Sequence, residues 1–245
     1  GGEPFIREDF LDIYIYAKKK GFIITIFTNA TLINHRIASL MADWPPYRIE
    51  VTLYGASKKV YEKITSVFGS YDKCRKGINM LLDKNIPLDL KTMVSSLNIH
   101  ELKEIKDFAR KFGLNFRFDP LLHSRIDGSH HPCQYRISPE EVVRLDFEDV
   151  ERKKSWRNIV EKFGIIEGKG IDFLYQCGAG RSSFFLDPFG NISICSMVLN
   201  PAYNIREHSF REIWSFFSEI LSSKREKEFE CKDCDIELFC QMCPA

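Results

Sequence analysis

The sequence carries almost no net charge: 35 lysines and arginines stand against 34 aspartates and glutamates, leaving +1. That balance offers no basic face to nucleic acid and no pull toward an anionic membrane surface, so neither is an expected partner. No apolar run approaches the roughly 18 to 20 residues that cross a bilayer. The chain does not open with the basic segment and short apolar stretch of an export signal, and a cytoplasmic location is the expectation. Internal repeats and low-complexity tracts are absent, and there is no initiator Met before Gly1-Gly2-Glu3-Pro4. What is present is a hydrophobic content of 44% with 13% aromatic, enough to bury a core. There are also eight cysteines. Tight cysteine spacing in a cytosolic setting favours a metal or cluster over disulfides.

From Phe10 to about Gly113, β-branched runs alternate with amphipathic helical patterns, the signature of βα units around a parallel sheet. Helical spacing of Phe10, Ile13, Tyr14 and Ala17 ends at Gly21, and 22–27 follows as a buried strand. Asn34 caps a helix that buries Ile37, Leu40 and Met41 and stops at Pro45-Pro46. Strands are expected over 49–54, 88–94 and 115–118, with a helix carrying Cys74, Ile78, Leu81 and Leu82 between the first two. Asn98 and Glu101 stand at capping-box spacing ahead of a helix burying Leu102, Ile105, Ala109 and Phe112. Residues 121–170 read as a linker and helices: a loop around Asp127-Gly128-Ser129, a helix opened by Ser138-Pro139-Glu140-Glu141, and an apolar stripe of Trp156, Ile159 and Val160. Ser209 and Glu212 box another helix, with Phe210, Ile213, Trp214, Phe217 and Leu221 on its buried side.

Two cysteine groups carry the chemistry. Cys231, Cys234, Cys240 and Cys243 fall as C-x2-C-x5-C-x2-C, while Cys177 and Cys195 flank what reads as two short strands around the turn Asp187-Pro188-Phe189-Gly190. Six thiols suggest two sites, and soft thiolates suit either iron-sulfur clusters or zinc. Cys74 shares a helical stripe with apolar neighbours and reads as a core thiol. Cys133 follows His130-His131-Pro132 and is a weaker zinc or cluster-ligand candidate. Arg117 and Asp119 sit near the end of the last strand, where either a ligand or a salt bridge would account for them.

The pattern C-x12-G-x4-C from Cys177 through Gly190 to Cys195, followed by C-x2-C-x5-C, resembles the SPASM domain of the radical S-adenosylmethionine (SAM) enzymes. Gly1-Gly2-Glu3-Pro4 resembles that family's GGEP motif at the end of its second barrel strand. Thr28-Asn29-Ala30 is similar to the Thr-Asn-Gly ending the third, and Thr52-Leu53-Tyr54-Gly55 falls where the fourth usually reads Ser-Leu-Asp-Gly. The resemblance implies an α/β fold: a partial (β/α)6 barrel lacking its first βα unit over 1–120, then a small cysteine-rich α+β SPASM domain over 171–245. It implies SAM contacts by Gly1, Gly2, Glu3, Pro4, Asn29, Thr52 and Asn98. By the same resemblance Cys231, Cys234 and Cys240 hold one auxiliary 4Fe-4S cluster with a ligand beyond the chain, and Cys177, Cys195 and Cys243 hold another.

An oxidoreductase that modifies a peptide or protein substrate after 5′-deoxyadenosyl-radical hydrogen abstraction is the implied activity, with flavodoxin or ferredoxin as electron donor. The radical-generating C-x3-C-x2-C loop occurs nowhere in the sequence, and Thr65 stands where the family often has a SAM-binding Arg. The chain is therefore expected to be truncated at both ends and inactive alone. The alternative is a non-catalytic zinc or iron-sulfur binding module.

Overall fold

The computed structural model describes residues 2–163, 173–175 and 177–224, and two compact units divide the chain, Gly1–Asp149 and Val150–Ala245. The first unit alternates α1 (Phe10–Lys19), β1 (Thr25–Thr28), α2 (His35–Asp43), β2 (Arg48–Thr52), α3 (Lys58–Thr65), α4 (Ser70–Asp83), β3 (Leu88–Met93), α5 (Leu102–Lys111), β4 (Asn115–Asp119) and α6 (Pro139–Glu148). All strand pairs are parallel, in the order β1-β2-β3-β4, with Val51 level with Leu90 and Leu90 with Phe116. This is the α/β architecture expected of the barrel family.

Strand alternation assigns the two faces of the sheet. Ile26, Ile49, Val51, Leu88 and Leu90 are buried and join Tyr14, Met41, Ile78, Leu81 and Ile105 of the helices in one core. Each such side chain contributes about 1.5 to 3 kcal/mol by leaving water, so this seam outweighs any surface pair in holding helices to sheet. The opposite face presents Phe27, Arg48, Glu50, Thr52, Asp89, Lys91 and Arg117, none of them buried. A second cluster of Val94, Leu102, Phe118 and Ile137 seats α6 through Val142 and Leu145.

Several local readings hold. Asn34 caps α2 by accepting from the Ile37 amide at 3.0 Å, and Ser138 with Glu141 forms a complete capping box with Pro139 in the first turn. Others need correction. The first strand begins at Thr25, not Phe22, and Ile23 is 82% exposed, because only two of the four strand residues, Ile26 and Thr28, turn inward. An unanticipated helix, α3, starts from Ser57, whose hydroxyl accepts from the Val60 amide at 3.2 Å. Its eight residues are too few to show a clear apolar period.

The second unit contains α7 (Val150–Phe163), an antiparallel sheet β5 (Phe185–Leu186), β6 (Asn191–Ser193) and β7 (Tyr203–Asn204), and α8 (Phe210–Leu221). Asp187 shapes the β5–β6 turn by accepting from the amides of Phe189 and Asn191 at 2.8 and 2.9 Å, and Gly190 supplies the positive φ of 94°. Ala179, Ile192, Ile194, Ile213 and Phe217 make the small core, with Trp214 packed against it. The Ser209–Glu212 box is formed as expected. Phe210, in the first turn of α8, is partly exposed at 43%, and so are Trp156, Ile159 and Val160 on α7, against the burial expected of an apolar stripe.

Gly77 on α4 is fixed by a close approach: a Cβ there would lie 2.1 Å from the carbonyl oxygen of Ala30. Ala30 is itself fully buried at a left-handed φ of 59°, so the loop after β1 has no room to retreat. Gly77→Ala is expected to destabilise the first unit by at least about 2 kcal/mol, as overpacking does. Urea unfolding of both proteins checks this, and an unchanged midpoint would show that the loop yields.

Candidate cofactor site at the carboxyl edge of the sheet

Glu3 organises the edge where β1 ends. Its carboxylate accepts from the Thr28 hydroxyl at 2.7 Å through Oε1 and from the Asn29 amide at 2.7 Å through Oε2. Oε1 also accepts from the Phe5 amide at 3.3 Å, capping the short turn Pro4–Ile6. The Thr28 hydroxyl in turn accepts from the Ala30 amide at 2.9 Å. Asn29 Oδ1 accepts from the amide and hydroxyl of Thr31 at 2.9 and 2.6 Å. A carboxylate with charge-assisted bonds to both segments thus holds Gly2-Glu3-Pro4 against Thr28-Asn29. Gly2 has φ 134° with open space where a Cβ would be, so conformation rather than crowding selects glycine there. Gly1 lies outside the described residues.

The neighbouring loop after β2 is held by a different pair. Asn98 is buried, and its Nδ2 donates to the carbonyls of Tyr54 and Met93, both at 2.9 Å, while its Oδ1 accepts from the Ser95 amide at 2.8 Å. Glu101 accepts from the amides of Ala56 and Ser57 at 2.8 and 3.0 Å and from the Ser57 hydroxyl at 2.5 Å. The expected Asn98–Glu101 capping box is therefore not formed: neither side chain caps its own helix, and both reach to the adjacent βα loop. The amide of Asn98 is committed to backbone partners, which makes it a positioning group for Tyr54. Glu101, read from the sequence only as a box partner, is the residue that sequence reasoning missed. Its spacing to Asn98 is correct for a cap and carries no sign of a partner about 45 positions upstream.

Gly55 must be glycine for this clasp, since a Cβ would come within 2.8 Å of the Tyr61 amide and 3.1 Å of Glu101 Oε2. Thr52 closes β2 half-buried, its hydroxyl without a hydrogen-bond partner among the described residues. Thr65, in contrast, is engaged by Tyr61 O at 3.1 Å and Ser70 Oγ at 2.9 Å. The structure thus gathers Gly2, Glu3, Pro4, Asn29 and Thr52 at the carboxyl edge of a parallel sheet, where such folds bind ligands. An open hydroxyl, an anchored carboxylate and a glycine backbone fit a ligand bearing ammonium, carboxylate and hydroxyl groups. A separate pocket of about 580 Å³ between α2 and α4, lined by His35, Tyr71, Arg75 and Asn79 among others, contains none of these residues.

In the second unit Cys177 is exposed and Cys195 half-buried, both as free thiols. The Met197 amide donates to Cys195 Sγ at 3.3 Å, a bond that stabilises negative charge on sulfur and fits a cluster ligand. Arg181 donates to the carbonyls of Tyr175 and Cys177 at 2.9 and 3.1 Å. Cys231, Cys234, Cys240 and Cys243 lie outside the described residues. Cys74 is the core thiol expected, pushed up to about 11 by burial and hence protonated at neutral pH. Cys133 Sγ lies 3.7 Å from Ser124 Oγ, which is 2.9 Å from His130 Nδ1. Among the described residues no three His, Cys, Asp or Glu side chains are grouped to hold a metal ion, so His130, His131 and Cys133 do not form one.

Residues 1–109 match the radical SAM superfamily and residues 177–244 the SPASM iron-sulfur cluster-binding domain. The chain belongs to the radical SAM enzymes that carry a SPASM domain, a class whose cofactors are SAM and 4Fe-4S clusters. Among curated relatives it is 24% identical to the AdoMet-dependent heme synthase of Methanosarcina barkeri, over 100% of this chain and 76% of that one. It is also 24% identical to the mycofactocin maturase MftC of Mycolicibacterium smegmatis, over 93% of this chain and 59% of that protein. Among solved structures, Streptococcus suis SuiB bound to S-adenosylmethionine superposes with a TM-score of 0.70 at 16% identity, covering 96% of this chain and 58% of SuiB. The anSMEcpe structure with bound AdoMet gives 0.64 at 15% identity, covering 96% and 71%. The chain thus spans less than two thirds of MftC and of SuiB.

Two measurements test the geometry. Glu101→Ala removes three acceptor bonds to the β2–α3 loop and should cost about 2 kcal/mol. Hydrogen exchange of the Ala56 and Ser57 amides should accelerate in this variant and not in Glu104→Ala, while equal protection would show that the clasp is idle. In metal-free protein iodoacetamide should modify Cys177 readily and Cys74 only after unfolding. Loading with iron and sulfide should protect Cys177 and Cys195 together, and continued labelling of both would remove them from the ligand set.

Proposed function

We propose that the first unit binds SAM at the carboxyl edge of its sheet and that the protein acts as a radical SAM oxidoreductase on a peptide or protein substrate. The anchoring of Gly2-Glu3-Pro4 to Thr28-Asn29 by both oxygens of Glu3 carries the reading, because it presents that backbone beside the open Thr52 hydroxyl at one edge. In this reading the backbone of Gly2 and the Glu3 carboxylate meet the ligand's ammonium, and Thr52 and Asn29 meet its carboxylate or ribose. Asn98 acts through the Tyr54 carbonyl rather than by contact. The expected SAM-binding region 1–120 lies within the first compact unit.

When bound, SAM supplies hydrogen-abstracting chemistry on one-electron reduction. The residues of this chain bind it, orient it, and in the second unit hold auxiliary clusters through Cys177 and Cys195 with the cysteines of 231–243. Electrons would come from a small carrier such as flavodoxin or ferredoxin. The peptide substrate rests on likeness to MftC, a maturase, and the heme synthases among the relatives keep a non-peptide substrate as the competing reading.

Calorimetry with SAM tests the site. Binding is expected to the 245-residue chain, weakened at least tenfold in Glu3→Ala, which is about 1.4 kcal/mol. Because the sequence contains no C-x3-C-x2-C, 5′-deoxyadenosine is not expected from this chain under reducing conditions. Undiminished SAM binding by Glu3→Ala would contradict the assignment, and 5′-deoxyadenosine production would contradict the expected inactivity.

A further inference from the structure

The open face of the sheet carries a graded set of charges directly below the cofactor edge. Nearest the amino ends of the strands, Arg48 meets Asp89 at 2.6 Å, and Asn115 donates to the same oxygen of Asp89 at 3.0 Å. That layer is neutral. In the next, Arg117 donates twice to Glu50 Oε2, at 3.1 and 2.6 Å, and Lys91 Nζ lies 3.9 Å from the same oxygen. Two cations thus share one carboxylate, and the layer carries an uncompensated positive charge. Thr52 is paired in register with Lys91, which in turn is level with Arg117, so the three stand in one row across β2, β3 and β4.

Lys91 is the unsatisfied member. Its side chain is only 21% exposed, the contact to Glu50 is too long for a hydrogen bond, and its ammonium sits 3.7 Å over the ring of Phe27. It makes no hydrogen bond among the described residues. A cation–π contact of about 1 to 2 kcal/mol only partly offsets the loss of water from this half-buried ammonium, and Glu50, already bonded to Arg117, stands too far away to complete the compensation. Burial, and then the adjacent Arg117, hold its pKa below the ordinary lysine value. Arg117 is 53% exposed, so the pair is reachable from the open side.

We propose that Lys91 and Arg117 form a seat for one carboxylate group on the open face, level with Thr52. One excess positive charge matches a monoanion better than a phosphate dianion, and the Arg117 N–H groups not given to Glu50, with the Lys91 ammonium, supply donors from two adjacent strands. Two sources present that chemistry: the carboxylate of SAM itself, where Lys91 would serve in place of the cation that Thr65 cannot supply, or a carboxylate of the substrate. The inference rests on the proposed SAM site for its biological meaning, but the seat can be detected without it.

The test uses the 245-residue chain with 13C-dimethylated lysines, Lys91 being assigned through Lys91→Arg. Its resonance is followed by NMR against glutarate, the neutral glutaramide, and SAM, at constant ionic strength. A saturable shift with glutarate or SAM, absent with glutaramide and weakened at least fivefold in Arg117→Gln, is expected. If SAM alone produces the shift and excludes glutarate, the seat serves the cofactor. If glutarate still binds to SAM-saturated protein, it serves the substrate. A drift that never saturates, or an equal response to glutaramide, overturns the proposal. Calorimetry in parallel separates the two readings: SAM binding with Lys91 silent to both SAM and glutarate sinks the seat alone, and a saturable glutarate shift without SAM binding sinks the cofactor site alone.

Discussion

The carboxylate of Glu3 is the constraint on which the candidate site depends. A short segment before the first helix has no strand of its own to fix it, and the bonds to Thr28 Oγ1 and the Asn29 amide, with Phe5 packed against the core, place Gly2-Glu3-Pro4 beside the end of β1. Thr28 is buried, so its bond to Glu3 is shielded from competing water. The same logic is repeated one strand over, where Glu101 and Asn98 reach from the segment after β3 to the backbone of 54–57. The loops after β1 and β2 are each held by a side chain from elsewhere in the chain.

The core explains why this edge can be built from short elements. Buried aliphatic side chains of β1, β2 and β3 pack on α1, α2, α4 and α5, and the sheet's other face is left to charged residues. Gly77 lets α4 approach the carbonyl of Ala30, which supports the loop carrying Asn29 from behind. Packing, not electrostatics, holds the platform, while Glu50, Lys91 and Arg117 pair with one another on the open face.

Much of this was legible in the sequence. β1 and β2 follow β-branched runs and β3 and β4 alternating apolar residues, and the caps at Asn34, Ser138 and Ser209 follow residues whose partners lie three positions away. The cysteine and GGEP patterns led to the family. What failed shares one cause. The start of β1, the exposure of Trp156 and the partners of Asn98 and Glu101 depend on which side of an element faces the rest of the fold, and local spacing does not report that. Arg117 shows the same limit: a strand-end salt bridge was one of two readings, and only the folded sheet, where Arg117 reaches across β3, identifies Glu50 as its partner.

The central claim is that SAM lies on the carboxyl edge of the sheet. Hydrogen exchange of the chain with and without saturating SAM tests it most directly. The account predicts new protection confined to the amides of 2–5, 28–31 and 52–57. Protection centred instead on His35, Tyr71 and Arg75, which line the pocket between α2 and α4, would contradict it.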